Sequence, residues 1–327
     1  MSSDVLRFGV VGLGMGMSRA GMIAETEGAE LAAVSDLVED RRKNAVEKFG
    51  CEAYEDYGEM LDKADIDVVM AMTPSGLHAQ IGIDSAKRGK HVITTKPMDI
   101  SVESSDRLIK SCEENSVKLM VDFGERYGAQ NKKIRRAMEQ NVLGKVYLAE
   151  LRMKWYRANS YYVGWHGTWR YDGGGSASNQ GVHFIDLLQW FMGPVDSVIG
   201  HYGVYGHDIY HCEAEDTAAA IVKFKSGALG TILTTTTYNR KGNLSMIEIH
   251  GEKGVVGRAP EVWEFVDEAP EVEIPEGPSN VIQDAIAVIK DGAKPAVDGY
   301  EGRKSVELIQ AIYKSAREGR EIKLPLS

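Results

Sequence analysis

Cysteine is scarce in this chain, and the few present cannot form a framework. Cys51, Cys112 and Cys212 are far apart and odd in number, and no C-x-x-C pair occurs. Neither a disulfide scaffold nor a thiolate metal cluster is expected, and the usage fits a reducing compartment. No other cluster has metal-ligand spacing, so the chemistry is not expected to need a metal. There is no run of about 18 apolar residues, which argues against a membrane-spanning helix. The N-terminus lacks the basic start, apolar stretch and small-residue cleavage site of a signal peptide, so a cytoplasmic location is expected. Positive charge is in deficit. The 38 Lys and Arg against 48 Asp and Glu leave a net charge of −10, which disfavours nucleic acid or an anionic membrane as partner. Internal repeats and low-complexity tracts are absent.

What is present is an ordinary globular composition, 43% hydrophobic and 26% charged, in 327 residues. At about 150 residues per domain this predicts roughly two domains. Residues 1–122 alternate short apolar runs with helical stretches. Strands are predicted at Val5–Val11, Ala29–Ser35, Ile66–Met72, His91–Thr94 and Val117–Val121. Helices are predicted at Ser18–Glu25, Glu39–Phe49, His78–Arg88 and Val102–Glu114. Near-continuous apolar strands separated by helices imply a doubly wound parallel sheet covered on both faces, an α/β domain. Residues 123–327 are strand-rich, with runs at Val146–Trp155, Val195–Val204, Ala218–Phe224, Leu229–Tyr238 and Met246–His250. Turn signals at Ser226-Gly227 and Lys241-Gly242-Asn243 predict antiparallel hairpins and an α+β domain. Residues 261–276, with seven acidic side chains and two prolines, read as a solvated edge or loop. Two helices near Asn280–Lys290 and Gly302–Glu318 close the chain, and the last is a candidate to pack back on the first domain.

Gly12-Leu13-Gly14-Met15-Gly16-Met17 follows the first strand and opens the first helix. Glycines permit a tight turn and close approach of backbone to a pyrophosphate, while the helix start supplies free N–H groups and a positive dipole end. The spacing departs from G-x-G-x-x-G, because Met17 holds the third glycine's place and Gly16 comes one residue early. Asp36 ends the second strand, 20 residues past Gly16. A carboxylate there can bond a ribose 2′-OH, or cap the following helix. A 2′-phosphate would add about −2 of charge beside it, so NAD is expected over NADP. Arg41-Arg42-Lys43 could clamp a phosphate; the alternative, preferred here, is the solvated start of a helix with Arg41 stacking on adenine.

Three further segments stand out. Thr73-Pro74-Ser75-Gly76-Leu77-His78 and Thr94-Thr95-Lys96-Pro97 both lie at the carboxyl ends of predicted parallel strands, where open α/β sheets bind ligands. The third, Gly173-Gly174-Gly175-Ser176-Ala177-Ser178-Asn179-Gln180-Gly181-Val182-His183, leads into an apolar helix that continues through Asp186. On a regular helix Asn179 and His183, four apart, would project from one face.

Together with Gly124-Glu125-Arg126-Tyr127, these motifs resemble those of the Gfo/Idh/MocA family, NAD(P)-dependent sugar and cyclitol oxidoreductases. The resemblance covers nearly the whole chain. It implies an N-terminal Rossmann domain (1–122) and a C-terminal α+β domain (123–327) with a large, open, mostly antiparallel sheet whose face mediates homodimers or homotetramers. It implies hydride transfer between a secondary hydroxyl of a sugar, glycoside or cyclitol and the nicotinamide. Lys96 matches the family's catalytic lysine and His183 its catalytic histidine. That assignment suits the chemistry. An imidazole can take the hydroxyl proton near neutral pH, and an ammonium can stabilise a developing alkoxide.

Along the cofactor the resemblance and motifs place Gly12, Leu13, Gly14, Met15, Met17, Asp36, Arg41, Thr73, Pro74, His78, Thr95 and Lys96. Against the substrate they place Lys96, Arg126, Asn179 and His183. Residues Trp155–Tyr171 are rich in aromatics and arginine, which suits stacking on sugar faces and binding of carboxylate or phosphate, or else core packing. Trp165, His166 and Arg170 are the substrate candidates there. Two departures from the family pattern stand out: Thr95, where the family has Glu before the lysine, so that any role of that carboxylate in positioning the lysine or contacting cofactor must change, and Asn179, where Asp is common, which bears on substrate. The asparagine form resembles branches acting on nucleotide-linked amino sugars. Two other activities occur in relatives: an NAD-dependent glycosidase using transient oxidation, and a non-catalytic NAD-responsive binding protein.

Overall fold

The structure, a computed structural model, describes residues 5–208, 212–239 and 242–326. Lys241 of the Lys-Gly-Asn turn signal lies outside the described residues. The chain forms two compact units, each built from three segments. The first comprises residues up to Asp99, Glu103–Phe123 and Pro278–Arg303; the second comprises Ile100–Val102, Gly124–Gly277 and Lys304 onward.

The first unit opens with β1 (Leu6–Val11), α1 (Gly16–Glu25), β2 (Ala29–Ser35), α2 (Glu39–Phe49), β3 (Glu52–Tyr54), α3 (Tyr57–Lys63) and β4 (Val68–Ala71). It continues through α4 (His78–Ala86), β5 (His91–Thr95), α5 (Val102–Glu114) and β6 (Leu119–Asp122). Among the described residues six strands pair in parallel in the order β3-β2-β1-β4-β5-β6. The order reverses direction between β1 and β4, the switch point at which doubly wound sheets bind ligands. All four residues of β4 are fully buried, as a strand covered on both faces demands. On one face Val11, Ala33, Met60, Leu61, Ile66, Val69 and Ala71 pack into a single cluster. The sequence reading did not include β3 and α3. The former is three residues on an exposed edge. The latter is seven residues long, started by Asp56, whose carboxylate accepts the Glu59 N–H at 2.9 Å.

In chain order there follow α6 (Ala129–Glu139), β7 (Val146–Lys154), α7 (Val182–Met192), β8 (Val195–Gly203), β9 (Thr217–Phe224), β10 (Leu229–Thr235) and β11 (Leu244–Gly251). The remaining elements are β12 (Gly254–Arg258), β13 (Val262–Phe265), α8 (Val281–Lys290), α9 (Gly299–Glu318) and β14 (Ile322–Lys323). Of these, α8 counts with the first unit. Among the described residues the second sheet has eight strands, ordered β13-β12-β11-β7-β10-β9-β8-β14. Every pair is antiparallel except β7 with β10. In β9, Ala218, Ala220, Val222 and Phe224 are buried while Ala219, Ile221 and Lys223 are exposed. The sheet therefore covers a core with one face and leaves the other open. The acidic stretch from 261 begins as β13, the sheet's edge strand, where charge discourages further strand pairing.

Candidate functional site

Each glycine of the first turn has a separate physical reason. Gly12 has φ +92°, and a Cβ there would stand 2.8 Å from the Met72 carbonyl oxygen. Gly16 packs α1 onto the sheet: its Cβ would meet Val10 and Met72 side chains at 3.2 and 3.1 Å. A Cβ at Gly14 would meet nothing within 4 Å, so the backbone there is open to an incoming group. Gly16 thus supplies the helix–strand contact usually made by the third glycine, and the shortened spacing costs the turn nothing. No side chain caps the start of α1, which leaves its first N–H groups to a ligand. This arrangement fits a dinucleotide pyrophosphate.

Asp36 closes the same turn. Its Oδ2 accepts the Leu13 N–H at 2.6 Å and its Oδ1 the Val38 N–H at 2.8 Å. The helix-cap alternative for Asp36 is corrected here: Val38 is the N-cap of α2, and Asp36 organises the loop just before it. The neighbouring basic cluster is neutralised locally. Arg41 lies 3.5 Å from Asp36, Arg42 3.4 Å from Glu55, and Lys43 2.8 Å from Glu39. Each of the three cations has an acidic neighbour, and the Asp36 carboxylate itself would repel a 2′-phosphate, which accords with NAD. Replacing Asp36 by alanine should raise KM for NAD by about tenfold or more, given about 1.5–3 kcal/mol for hydrogen bonds to a charged group. Preference should move toward NADP, read from initial rates with each coenzyme.

The loops after β4 and β5 are tied by His78. Its ring is fully buried, with Nδ1 2.9 Å from the Pro97 carbonyl and Nε2 2.8 Å from the Thr73 carbonyl. Burial lowers its pKa, while the two carbonyls pull the other way. His78 therefore fixes Thr73-Pro74 relative to Thr95-Lys96-Pro97 rather than facing solvent. Lys96 is half-buried at the end of β5, and the Lys96–Pro97 peptide is cis.

In the second unit Ser176–Gly181 is a π turn that runs into α7. Asn179 therefore sits in the wider turn and His183 on the regular helix that follows it. Asn179 donates from Nδ2 to Asp172 Oδ1 at 2.7 Å; Gln180 donates from Nε2 to the Tyr161 hydroxyl at 2.7 Å. His183 is half-buried at the first turn of α7, its ring 6.2 Å from that of Phe184. Trp165 stacks on His166 at 3.9 Å, and His166 leans on Tyr161 at 4.2 Å, a continuous aromatic ladder beside Gln180. Arg170 is exposed, with its guanidinium 5.1 Å from the Tyr171 ring.

Arg126 is placed differently from a residue aimed at a ligand. It is buried, and Nε and Nη2 bond the two oxygens of Asp186 at 2.8 and 2.7 Å. Tyr161 and Gln180 fell within the segments singled out from sequence but were given no site role, and Asp172 and Glu215 were not considered. The consecutive carboxylates Glu215-Asp216 before an apolar strand were a usable signal, since both are fully buried. Sequence spacing also concealed Glu150, Glu248 and His250, whose ligand atoms lie within 4.8 Å of one another on adjacent strands. Within the group Glu150 pairs with Arg152 at 2.9 Å, and the His250 ring lies 2.8 Å from Glu248.

Residues 6–123 match the family model described as the oxidoreductase family, NAD-binding Rossmann fold, and residues 135–324 that of the same family's C-terminal alpha/beta domain. The chain belongs to the Gfo/Idh/MocA family. As a member of Gfo/Idh/MocA it is an NAD-dependent oxidoreductase, in agreement with the turn geometry. A WlbA dehydrogenase from Bordetella pertussis, solved in complex with NADH and UDP-GlcNAcA, is 33% identical, with TM-score 0.90 and full coverage of both chains. The WlbA dehydrogenase from Chromobacterium violaceum, with the same two ligands, is 34% identical at TM-score 0.88, covering 100% of this chain and 98% of that one. A myo-inositol 2-dehydrogenase from Thermotoga maritima is 28% identical over 98% of each chain. Among the described residues no helix is long and apolar enough to cross a membrane.

Proposed function

We propose that this protein oxidises a ring hydroxyl of a sugar carried on a nucleotide, with His183 as general base and Lys96 stabilising the oxygen as its charge develops. The reading is carried by the full-length likeness to the two dehydrogenases solved with NADH and UDP-GlcNAcA. The Asn179-Gln180 pair, held by Asp172 and Tyr161, supports it as an amide platform for sugar hydroxyls. Trp165, His166 and Arg170 are the further substrate contacts in this reading, the aromatics for the sugar face and the guanidinium for a carboxylate or phosphate.

NAD held at the glycine turn, the start of α1 and Asp36 would supply the hydride acceptor for this oxidation. The hydroxyl proton passes to the His183 imidazole, and Lys96 offers its ammonium to the same oxygen. In the reverse direction the imidazolium returns the proton to the alkoxide. Steady-state NADH formation with UDP-linked uronic acids, free sugars and myo-inositol, with NADP in parallel, tests the reading. Turnover of myo-inositol with none of the nucleotide sugars would replace it with a cyclitol dehydrogenase. Glycoside cleavage without net NADH would replace it with a hydrolase.

The protein is further proposed to act in the cytoplasm as a homodimer or homotetramer joined through the open sheet face. On that face Ile199 and Ile221 are cross-strand partners, 42% and 54% exposed, with Leu229 at 50% nearby. Three clustered aliphatics in water favour a covering partner. Ile221→Lys should lower the mass measured by light scattering at micromolar concentration; an unchanged mass would remove this face from the interface.

A further inference from the structure

The glycines ahead of the π turn answer to two side chains remote in sequence. Glu215, fully buried just before β9, reaches this backbone from one direction, and Tyr313, buried on α9, from another. Glu215 accepts the Gly175 N–H at 2.6 Å, the Ala177 N–H at 2.8 Å, the Tyr313 hydroxyl at 3.0 Å and the Ser176 hydroxyl at 3.3 Å. A Cβ at Gly174 would stand 2.1 Å from the Tyr313 hydroxyl, and one at Gly175 1.7 Å from the Glu215 carbonyl oxygen. Only glycine lets the clamp close this tightly. The clamped residues run directly into Ser176–Gly181, and His183 follows two residues later.

We propose that Glu215 and Tyr313 are positioning residues that set the placement of Asn179 and His183, and that the carboxylate form of Glu215 is the holding form. The proposal rests on His183 being the acid–base group. Four donors converge on this carboxyl, so a protonated Glu215 must either release one of them or turn the Tyr313 or Ser176 hydroxyl round into an acceptor, and in both cases the present arrangement is broken. Burial pushes its pKa up to about 7, against the pull of the Ala177 N–H, the Tyr313 hydroxyl and the Gly175 N–H. The titratable groups around it are Tyr313 on α9, Asp172 in the preceding loop, Tyr162, and Cys212 and Asp216 on its own segment. Burial holds Tyr313 and Tyr162 well above their ordinary range and the Cys212 thiol at about 12, so all three stay neutral here. Asp172 adds negative charge that pushes Glu215 further up.

The clamp should open as pH falls through about 7, in full-length protein and independently of turnover. Amide ¹⁵N shifts of Gly175 and Ala177 are expected to titrate near pH 7 in the wild type and stay flat in Glu215→Gln. Tyr313→Phe removes one donor and keeps the carboxylate, so its midpoint should move upward; this variant preserves the test where Glu215→Gln fails to fold. In kinetics, Glu215→Gln should lose about tenfold or more in kcat with KM for NAD unchanged. The acid limb of its pH–rate profile should fall from a two-proton to a one-proton slope. Flat amide shifts in the wild type, or wild-type kcat in Glu215→Gln, would overturn the proposal. Titrating amides with full turnover in His183→Ala would instead overturn the catalytic assignment and leave the clamp standing.

Discussion

His183→Ala should reduce kcat by about 10²–10⁴, the span measured for general acid–base groups in enzymes. Lys96→Ala should reduce it by about 10²–10³, as loss of one preorganised electrostatic partner does. Because both contributions arise as the proton and hydride move, kcat and kcat/KM should fall together. NAD affinity should change little in His183→Ala, since the glycine turn and Asp36 belong to the other unit. In the proposed mechanism both groups serve one oxygen, so the two losses should not add. Steady-state NADH formation together with calorimetric NAD binding gives both numbers. Wild-type turnover in either variant would remove that residue from the mechanism.

The largest stability effect is expected at Asp186. Its carboxylate and the Arg126 guanidinium form a two-pronged pair with side chains 2% and 3% exposed, and the guanidinium also lies 5.2 Å from the Trp190 ring. Asp186→Ala removes the carboxylate that holds both prongs of a buried guanidinium, a loss of about 3–5 kcal/mol. The double replacement Arg126→Met with Asp186→Leu removes both charges and should recover most of that, because desolvating the pair was itself costly. Equilibrium urea unfolding of the four proteins closes the cycle. A small effect in the single variant would mean that water reaches the guanidinium when its partner is gone.

The first unit was legible because its signals are local. A strand covered on both faces is apolar throughout, so β2 and α2 have the expected ends, and Gly12 stands where a left-handed turn meets a neighbouring carbonyl. β3 and β14, of three and two residues, carry too little pattern to read, and α6 was missed as well, although Asn131, Ile134 and Ala137 are buried along it at helical spacing. The second unit was legible as hairpins, and its large antiparallel sheet through the family resemblance, but the strand order was not, since no run of residues announces that β7 lies between β10 and β11. At the candidate site, sequence pointed to Lys96 and His183 as chemistry but could not reveal the π turn. That turn reflects convergence of Glu215, Tyr313, Thr234 and Asp172 from four separate places. The same limit applies to Arg126, whose partner Asp186 lies 60 residues away.

The position of β7 bears on how the chain is made. Leu151, at its centre, pairs with Ile232 on one side and Ile247 on the other, and both emerge from the ribosome long after it. Every other neighbouring pair except β14 with β8 joins consecutive strands, so hairpins can zip as they appear while β7 waits with two bare edges. Such edges invite pairing with foreign strands. During synthesis both edges of β7 stay open until Ile232 and Ile247 have been made, an interval in which the nascent chain is open to aggregation.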